Sequence, residues 1–222
     1  MASIFAIKKV FRNKDFWFLR EVELPVSGIE EYILSTDQII KAIRTSVENH
    51  ERFLEEASAR KIKRSFDLLD YYTKKFSHQL YYNSIFITEY SFLERKMLQL
   101  CKIAEPKQTL KVNDLAGSGI FKYYAYIQKV LRINMEDVNT EWAEILKYNH
   151  LRNLLVHHPT YTIEAGTLPT NKLNTLKSIK YLKIIEEDDT LEFEISDKAL
   201  LQDFAKIILE FLAGIYFDND VD

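Results

Sequence analysis

The sequence predicts a mainly all-α fold: a helical bundle with a long antiparallel helical hairpin and a small β-hairpin before the C-terminal helix. Only 5 glycines and 4 prolines occur among 222 residues, so long stretches contain no helix breaker. Within these stretches apolar residues recur at intervals of three and four, which is the spacing of an amphipathic helix. One short segment near the C-terminus combines β-prone residues with a turn instead.

The composition excludes several classes of protein. Lys and Arg number 30 against 33 Asp and Glu, a formal net charge of -3, so the chain is not a strongly basic nucleic-acid coat. Charged residues interrupt every long apolar run, so no segment is predicted to span a bilayer. The single cysteine, Cys101, cannot form an internal disulfide. With Lys8 and Lys9 where a signal sequence would be apolar, we expect a cytoplasmic protein without membrane contact.

Motifs of the common enzyme classes are absent from the sequence. It contains no glycine-rich dinucleotide or phosphate loop, no zinc-protease motif and no serine-hydrolase elbow. His50, His78 and His150 stand singly and are predicted to be structural, because no spacing of histidines and carboxylates indicates a metal site. We therefore expect no cofactor and no metal.

One domain, residues 29–217, is predicted between two terminal segments. Residues 1–28 fit neither helical nor strand spacing, and residues 24–28 resemble a turn, so this part is expected to be an extension that packs on the body. Residues 218–222 form an acidic tail that is expected to fray.

The helical hairpin is predicted to comprise two helices, over about 36–72 and 72–104. The first is expected to begin at Ser35 or Thr36, whose side-chain oxygen can accept a hydrogen bond from a first-turn N–H. Pro106 is expected to end the second helix.

The next long helix is predicted to end at His157. Asn139 or Thr140 is expected to cap its start, and Pro159 disfavours the helical conformation for His158.

Shorter elements lie on either side of that helix. Ser118 is expected to cap the helix before it. Two alternating segments predict a β-hairpin at about 179–195, and Ser196 is expected to cap the last helix.

Residues 149–158 are the most unusual part of the sequence, because asparagines, an arginine and histidines end an otherwise apolar helix. Arg152 and His157 lie about 140° apart around the helix axis, so they do not share a face, but both lie near its end. A structural explanation stays open: Arg152 could pair with a carboxylate, and His157 could interact with the helix C-terminus. The helix is apolar on two sides, which favours burial against two neighbours, one of them a second subunit.

The pattern Arg152-x4-His157, with the polar Asn153 after the arginine, resembles the R-x4–6-H motif of the HEPN superfamily of all-α domains. The apolar-rich segment 86–94, which ends in the acidic Glu94, is similar to an earlier helix of that family. The helix start at residues 117–120 fits the same order. The resemblance covers residues 36–158, and residues 178–217 look like the hairpin and last helix that some members add.

The resemblance implies a metal-independent endoribonuclease that acts as a homodimer in toxin–antitoxin or anti-phage defence systems. An imidazole, with an unperturbed pKa of about 6.5, can exchange protons with a ribose 2′-OH and a leaving 5′-oxygen. A guanidinium can hold the scissile phosphate and stabilise its added charge. The implied catalytic residues are therefore Arg152, Asn153 and His157, and the implied products are a 2′,3′-cyclic phosphate and a 5′-OH.

Several further residues are weaker candidates. His158 offers an alternative register of the motif, and Glu94, or with less support Glu89, could orient Arg152. A basic cluster could follow an RNA backbone, although a solvated helix face is the commoner meaning of such a run. The cluster comprises Arg60, Lys61, Lys63 and Arg64.

Two other functions stay open: a non-catalytic HEPN-like dimer that scaffolds a partner protein, and a module that binds RNA or a nucleotide without turnover. Catalysis predicts that Arg152 and His157 are accessible in one cleft. A scaffold predicts that Arg152 lies in a buried ion pair and that the cleft is filled.

Overall fold

The computed structural model describes residues 18–57, 60–158 and 162–217, which form six α-helices and a three-stranded sheet. A π-helical turn, Leu19–Glu23, leads into the first helix. The helices are α1, Leu24–Ala57; α2, Arg60–Ala104; α3, Gly119–Lys129; α4, Asn139–His157; α5, Thr170–Lys177; and α6, Ala199–Phe217. The strands are β1, Thr162–Glu164; β2, Leu182–Glu187; and β3, Thr190–Ile195. The predicted fold class, mainly helical with a β-hairpin before the last helix, is confirmed.

The long helices α1 and α2 run antiparallel, as predicted. Lys96 Nζ lies 3.1 Å from Glu21 Oε2, which places the turn before α1 beside the last turns of α2. Lys96 is buried, and its hydrogen bond to Glu21 lowers the pKa of that carboxyl.

Three predicted boundaries of this hairpin are wrong. Residues 24–28 begin α1 instead of forming a turn, so the predicted division at residue 28 lies inside a helix. Pro25 closely follows the π-helical turn Leu19–Glu23, where regular α-helical hydrogen bonding is already interrupted, so its missing N–H is compatible with this position. Ser35 also lies inside α1, where its Oγ donates to the Tyr32 carbonyl.

The break between the helices falls between Ala57 and Arg60, not at about residue 72. No glycine or proline marks either position in the sequence, so the reversal has no local signal there. Residues 1–17 and 218–222, which hold most of the predicted N-terminal extension and the predicted acidic tail, lie outside the described residues.

The sheet adds a third strand to the predicted hairpin. β2 and β3 pair antiparallel, with Lys183 opposite Glu194, and β1 pairs with the other edge of β3. Gln79 Nε2 donates to the Phe193 carbonyl over 2.8 Å, which joins α2 to the central strand. The sheet therefore packs on the helical bundle.

The start of α6 differs from the prediction. Ser196 does not cap the helix, because its Oγ donates to the Tyr181 carbonyl. The neighbouring Asp197 takes the capping position, and its Oδ1 accepts from the Ala199 N–H over 2.8 Å.

The aromatic ring of Phe204 in α6 lies at the centre of the core. Its centroid is 4.5 Å from that of Tyr148 in α4, 5.2 Å from that of Phe86 in α2 and 6.4 Å from that of Tyr90 in α2. One buried side chain thus contacts both helices that carry the predicted site residues. None of the helices in the described ranges is both long and apolar enough to cross a membrane.

We expect Phe204→Ala to lower the free energy of unfolding by about 3–5 kcal/mol, because it leaves a cavity among three aromatic rings. Urea titration followed by circular dichroism measures the change. Leu80→Ala is the control, since Leu80 is 61% exposed and its truncation should change stability by less than about 0.5 kcal/mol. Equal losses for the two variants would contradict the central role of Phe204.

Candidate active site

The predicted site residues lie on two faces of α4. Asn153 and His157 are four residues apart and share a face, which His150 joins at three residues before Asn153. Around the helix axis, Arg152 lies about 140° from His157 and about 60° from Asn149. The helix therefore turns its histidines and its arginine toward different neighbours.

The histidine face of α4 lines an open cleft of about 210 Å³ whose other walls come from β1, α5 and the segment between them. The predicted residues Asn153, His157 and His158 all lie in it, and both histidines are exposed. The cleft also contains two residues that the sequence did not single out for function, His150 and Lys172. Its apolar lining consists of Leu154, Ile163, Leu168 and Leu176.

The predicted Arg152 does not line this cleft. It is half-buried, and its Cζ lies 5.5 Å from the centroid of the Tyr90 ring, within the range of a cation–π contact. Its Nη1 donates to Asn153 Oδ1 over 3.1 Å. Asn153 therefore links the arginine on one side of α4 to the cleft on the other.

Tyr90 fixes the arginine side of α4 to α2. Its hydroxyl donates to Asn149 Oδ1 over 2.6 Å in a buried environment. Burial raises the pKa of Tyr90; the charge of Glu94 raises it further, and that of Arg152 opposes the rise. The phenol thus stays neutral as a hydrogen-bond donor at physiological pH.

Glu94 lies one helical turn beyond Tyr90 and approaches the start of α3. Its Oε1 lies 3.2 Å from the position that a Cβ would take at Gly119, a residue with a φ of 58°. Among the described residues Glu94 forms no ion pair with Arg152, so the predicted orienting role is not supported by direct contact.

Glu89, the other carboxylate considered for that role, does not line the cleft. It is fully buried, and both of its carboxylate oxygens are without a hydrogen-bond partner among the described residues. Burial raises its pKa well above the usual range, and the charge of Glu30 in α1 adds to the rise. The neutral acid is therefore the favoured form in the folded chain.

His150 lines the cleft and is therefore a candidate functional residue, although the sequence predicted it to be structural. It is half-buried; burial lowers its pKa, and the positive charge of Lys172 lowers it further. The signal in the sequence is the i, i+3, i+7 spacing of His150, Asn153 and His157. Lys172 carries no such signal, since only the fold brings α5 to α4.

The predicted basic cluster lies in the first turns of α2. The helix includes Arg60, Lys61, Lys63 and Arg64, but their side chains lie outside what the structure describes. Their role in RNA binding therefore stays a prediction. In the part of the chain that the structure describes, no three His, Cys, Asp or Glu side chains form a group suited to a metal ion.

Comparison with protein-family models, with curated proteins and with solved structures finds no match for this chain. The function of the cleft is therefore inferred from its own geometry and from the sequence motif.

We expect Tyr90→Phe to lower the free energy of unfolding by about 1–3 kcal/mol, because it leaves the buried Asn149 oxygen without its donor. Urea titration measures the loss. Tyr124→Phe is the control, since it keeps the ring that stacks on Trp142 at 4.1 Å and removes the hydroxyl of a half-buried tyrosine. A loss no larger than that of the control would show that the Tyr90–Asn149 bond contributes little.

We expect Glu89→Gln to become more stable relative to wild type as the pH rises. The folded pKa of Glu89 is raised, so its contribution to stability is complete below the unfolded pKa of about 4.3 and is lost as the pH rises toward the folded pKa. Free energies of unfolding at pH 4, 6 and 8 test this, and the exposed Glu210→Gln should show no such trend. A difference between Glu89→Gln and wild type that is constant with pH contradicts the assignment.

Proposed function

We propose that this protein is a metal-independent endoribonuclease of the HEPN type, acting as a cytoplasmic homodimer. The observation that carries the proposal is the open cleft in which Asn153, His157 and His158 meet at the end of the motif helix. The resemblance of the Arg152–His157 segment to the HEPN motif supplies the reaction class and stays a prediction.

The chemistry of the cleft fits phosphodiester cleavage by a ribose 2′-OH. Exposed imidazoles can transfer protons at the attacking and the leaving oxygen. Asn153 can donate its amide N–H to a phosphate oxygen while its Oδ1 accepts from Arg152. A volume of about 210 Å³ has room for a phosphate group, and the cleft is open to solvent.

Arg152 supports the reaction through Asn153 within one chain. Its contact with Tyr90 holds the guanidinium beside the cleft and not in it. The homodimer offers a further route, since a twofold axis near α4 would bring a second copy of the motif to the cleft. The exposed Val156 supplies an apolar contact for such an interface at the same end of α4.

The defence setting and an antitoxin partner are supported by the resemblance alone.

His157 is preferred to His158 as the catalytic histidine because His157 belongs to α4, whereas His158 is the residue that follows its end.

A scaffold without catalysis is the second candidate, and one observation favours it. Arg152 is engaged by Tyr90 and Asn153 and is absent from the cleft lining, which is the behaviour of a structural arginine. The open cleft favours catalysis instead, because a scaffold predicts that side chains fill the cleft.

We expect His157→Ala to reduce RNA cleavage by about 10²–10⁴-fold, the usual contribution of a general acid or base. Purified wild type, His157→Ala and Arg152→Ala are incubated with total RNA in EDTA, and the product ends are analysed for a cyclic phosphate and a 5′-OH. The control is Leu80→Ala, an exposed residue of α2 that does not line the cleft and has no part in the proposed dimer contact.

Cleavage that persists in His157→Ala and in the His157→Ala/His158→Ala double variant would overturn the assignment of the histidines. A folded wild-type dimer that leaves RNA intact would favour the scaffold.

A further inference from the structure

We propose that His150 and Lys172 are additional catalytic residues of the cleft: His150 accepts the proton of the attacking 2′-OH, and Lys172 holds the scissile phosphate. This inference rests on the proposed ribonuclease function and adds two residues that lie outside the Arg152–His157 motif.

The first support is the common face of α4. His150 and His157 are seven residues apart, so they point in nearly the same direction about 10 Å apart along the helix axis. Asn153 lies between them on the same face, and all three line the cleft. Two imidazoles at that spacing can reach opposite sides of one phosphodiester group, which Arg152 on its different face cannot do.

The second support is the charge across the cleft. Lys172 comes from α5, on the wall opposite α4, and is the only lysine or arginine among the residues that line this described cleft. An ammonium group opposite the amide of Asn153 would place a phosphate between the two walls. The charge would also stabilise the extra negative charge of the pentacoordinate transition state.

The third support is the protonation state of His150. Burial and the nearby Lys172 both favour its neutral imidazole, which is the form that accepts a proton. His157 lines the same cleft and is exposed, so it can exchange protons with water. The two histidines therefore have different environments, which suits opposite roles in one reaction.

The proposed step conserves protons and charge. The neutral His150 ring takes the 2′-OH proton as the 2′-oxygen forms its bond to phosphorus. The bond from phosphorus to the 5′-oxygen breaks, and the protonated His157 ring gives its proton to that oxygen. The products are the 2′,3′-cyclic phosphate and the free 5′-OH, with a proton gained by His150 and one lost by His157.

The test compares His150→Ala, His150→Gln and Lys172→Met with wild type under the cleavage conditions described above. His150→Gln retains a polar side chain but no base, which guards against a folding artefact. We expect both His150 variants to cleave about 10²–10⁴-fold more slowly and Lys172→Met to lose about 10²-fold in kcat/KM. Lys177→Met, an exposed lysine of the same helix outside the cleft, should match wild type.

A binding measurement separates this inference from the proposed function. RNA with 2′-O-methyl groups lacks the attacking hydroxyl and cannot be cut, so it reports binding alone. We expect Lys172→Met to weaken its binding and to reduce the slope of log K against log salt by about 0.7, the value for one phosphate contact on a single strand. Lys177→Met should leave the slope unchanged.

Each result of these experiments either supports or overturns the roles of His150 and Lys172. If wild type cleaves RNA and the His150 and Lys172 variants cleave at the same rate, the inference is overturned and the ribonuclease function stands. If wild type does not cleave RNA, the proposed function and the His150 proton transfer are both overturned. In that case a changed salt slope for Lys172→Met supports the phosphate contact, and an unchanged slope overturns that contact too.

Discussion

The hydrogen bond from Tyr90 to Asn149 joins α4 to α2 and, with the buried apolar side chains of α4, holds that helix in its observed rotation. The bond is buried and only 2.6 Å long, and the Tyr90 ring also packs near Phe204 at the centre of the core. Because Asn149 must face α2, the helical repeat places Arg152, three residues later, over the same tyrosine. The repeat places His150 and His157 about 80–100° around the helix from Asn149 and about 140–160° from Arg152, where α5 and β1 form the cleft.

In this arrangement the polar groups on the two faces of α4 have different surroundings. The face toward α2 carries polar groups that satisfy one another, which buried polar groups require if they are not to destabilise the fold. The other face presents its polar groups to an open cleft, where they remain free to bind a ligand. Asn153 lies at the border and accepts from Arg152, so the arginine can influence the cleft without entering it.

The electrostatics of the cleft follow from which elements enclose it. The chain as a whole has a formal charge of -3, yet this cleft joins three histidines to a lysine. Lys172 belongs to the short helix α5, and its charge is felt by His150 across the cleft. The positive charge of Lys172 therefore favours binding of an anion in this cleft, although the chain as a whole is slightly negative.

The sequence by itself determined the fold class, the β-hairpin and the end of α4 at His157, because apolar periodicity and Pro159 act on neighbouring residues. It also identified Asn153, His157 and His158, which the structure brings to one cleft. Only the tertiary structure decided where α1 gives way to α2, since no breaker marks that place. It alone placed Arg152 on Tyr90 and outside the cleft and joined Lys172 to His150, because the rotation of a helix depends on the partners it packs against.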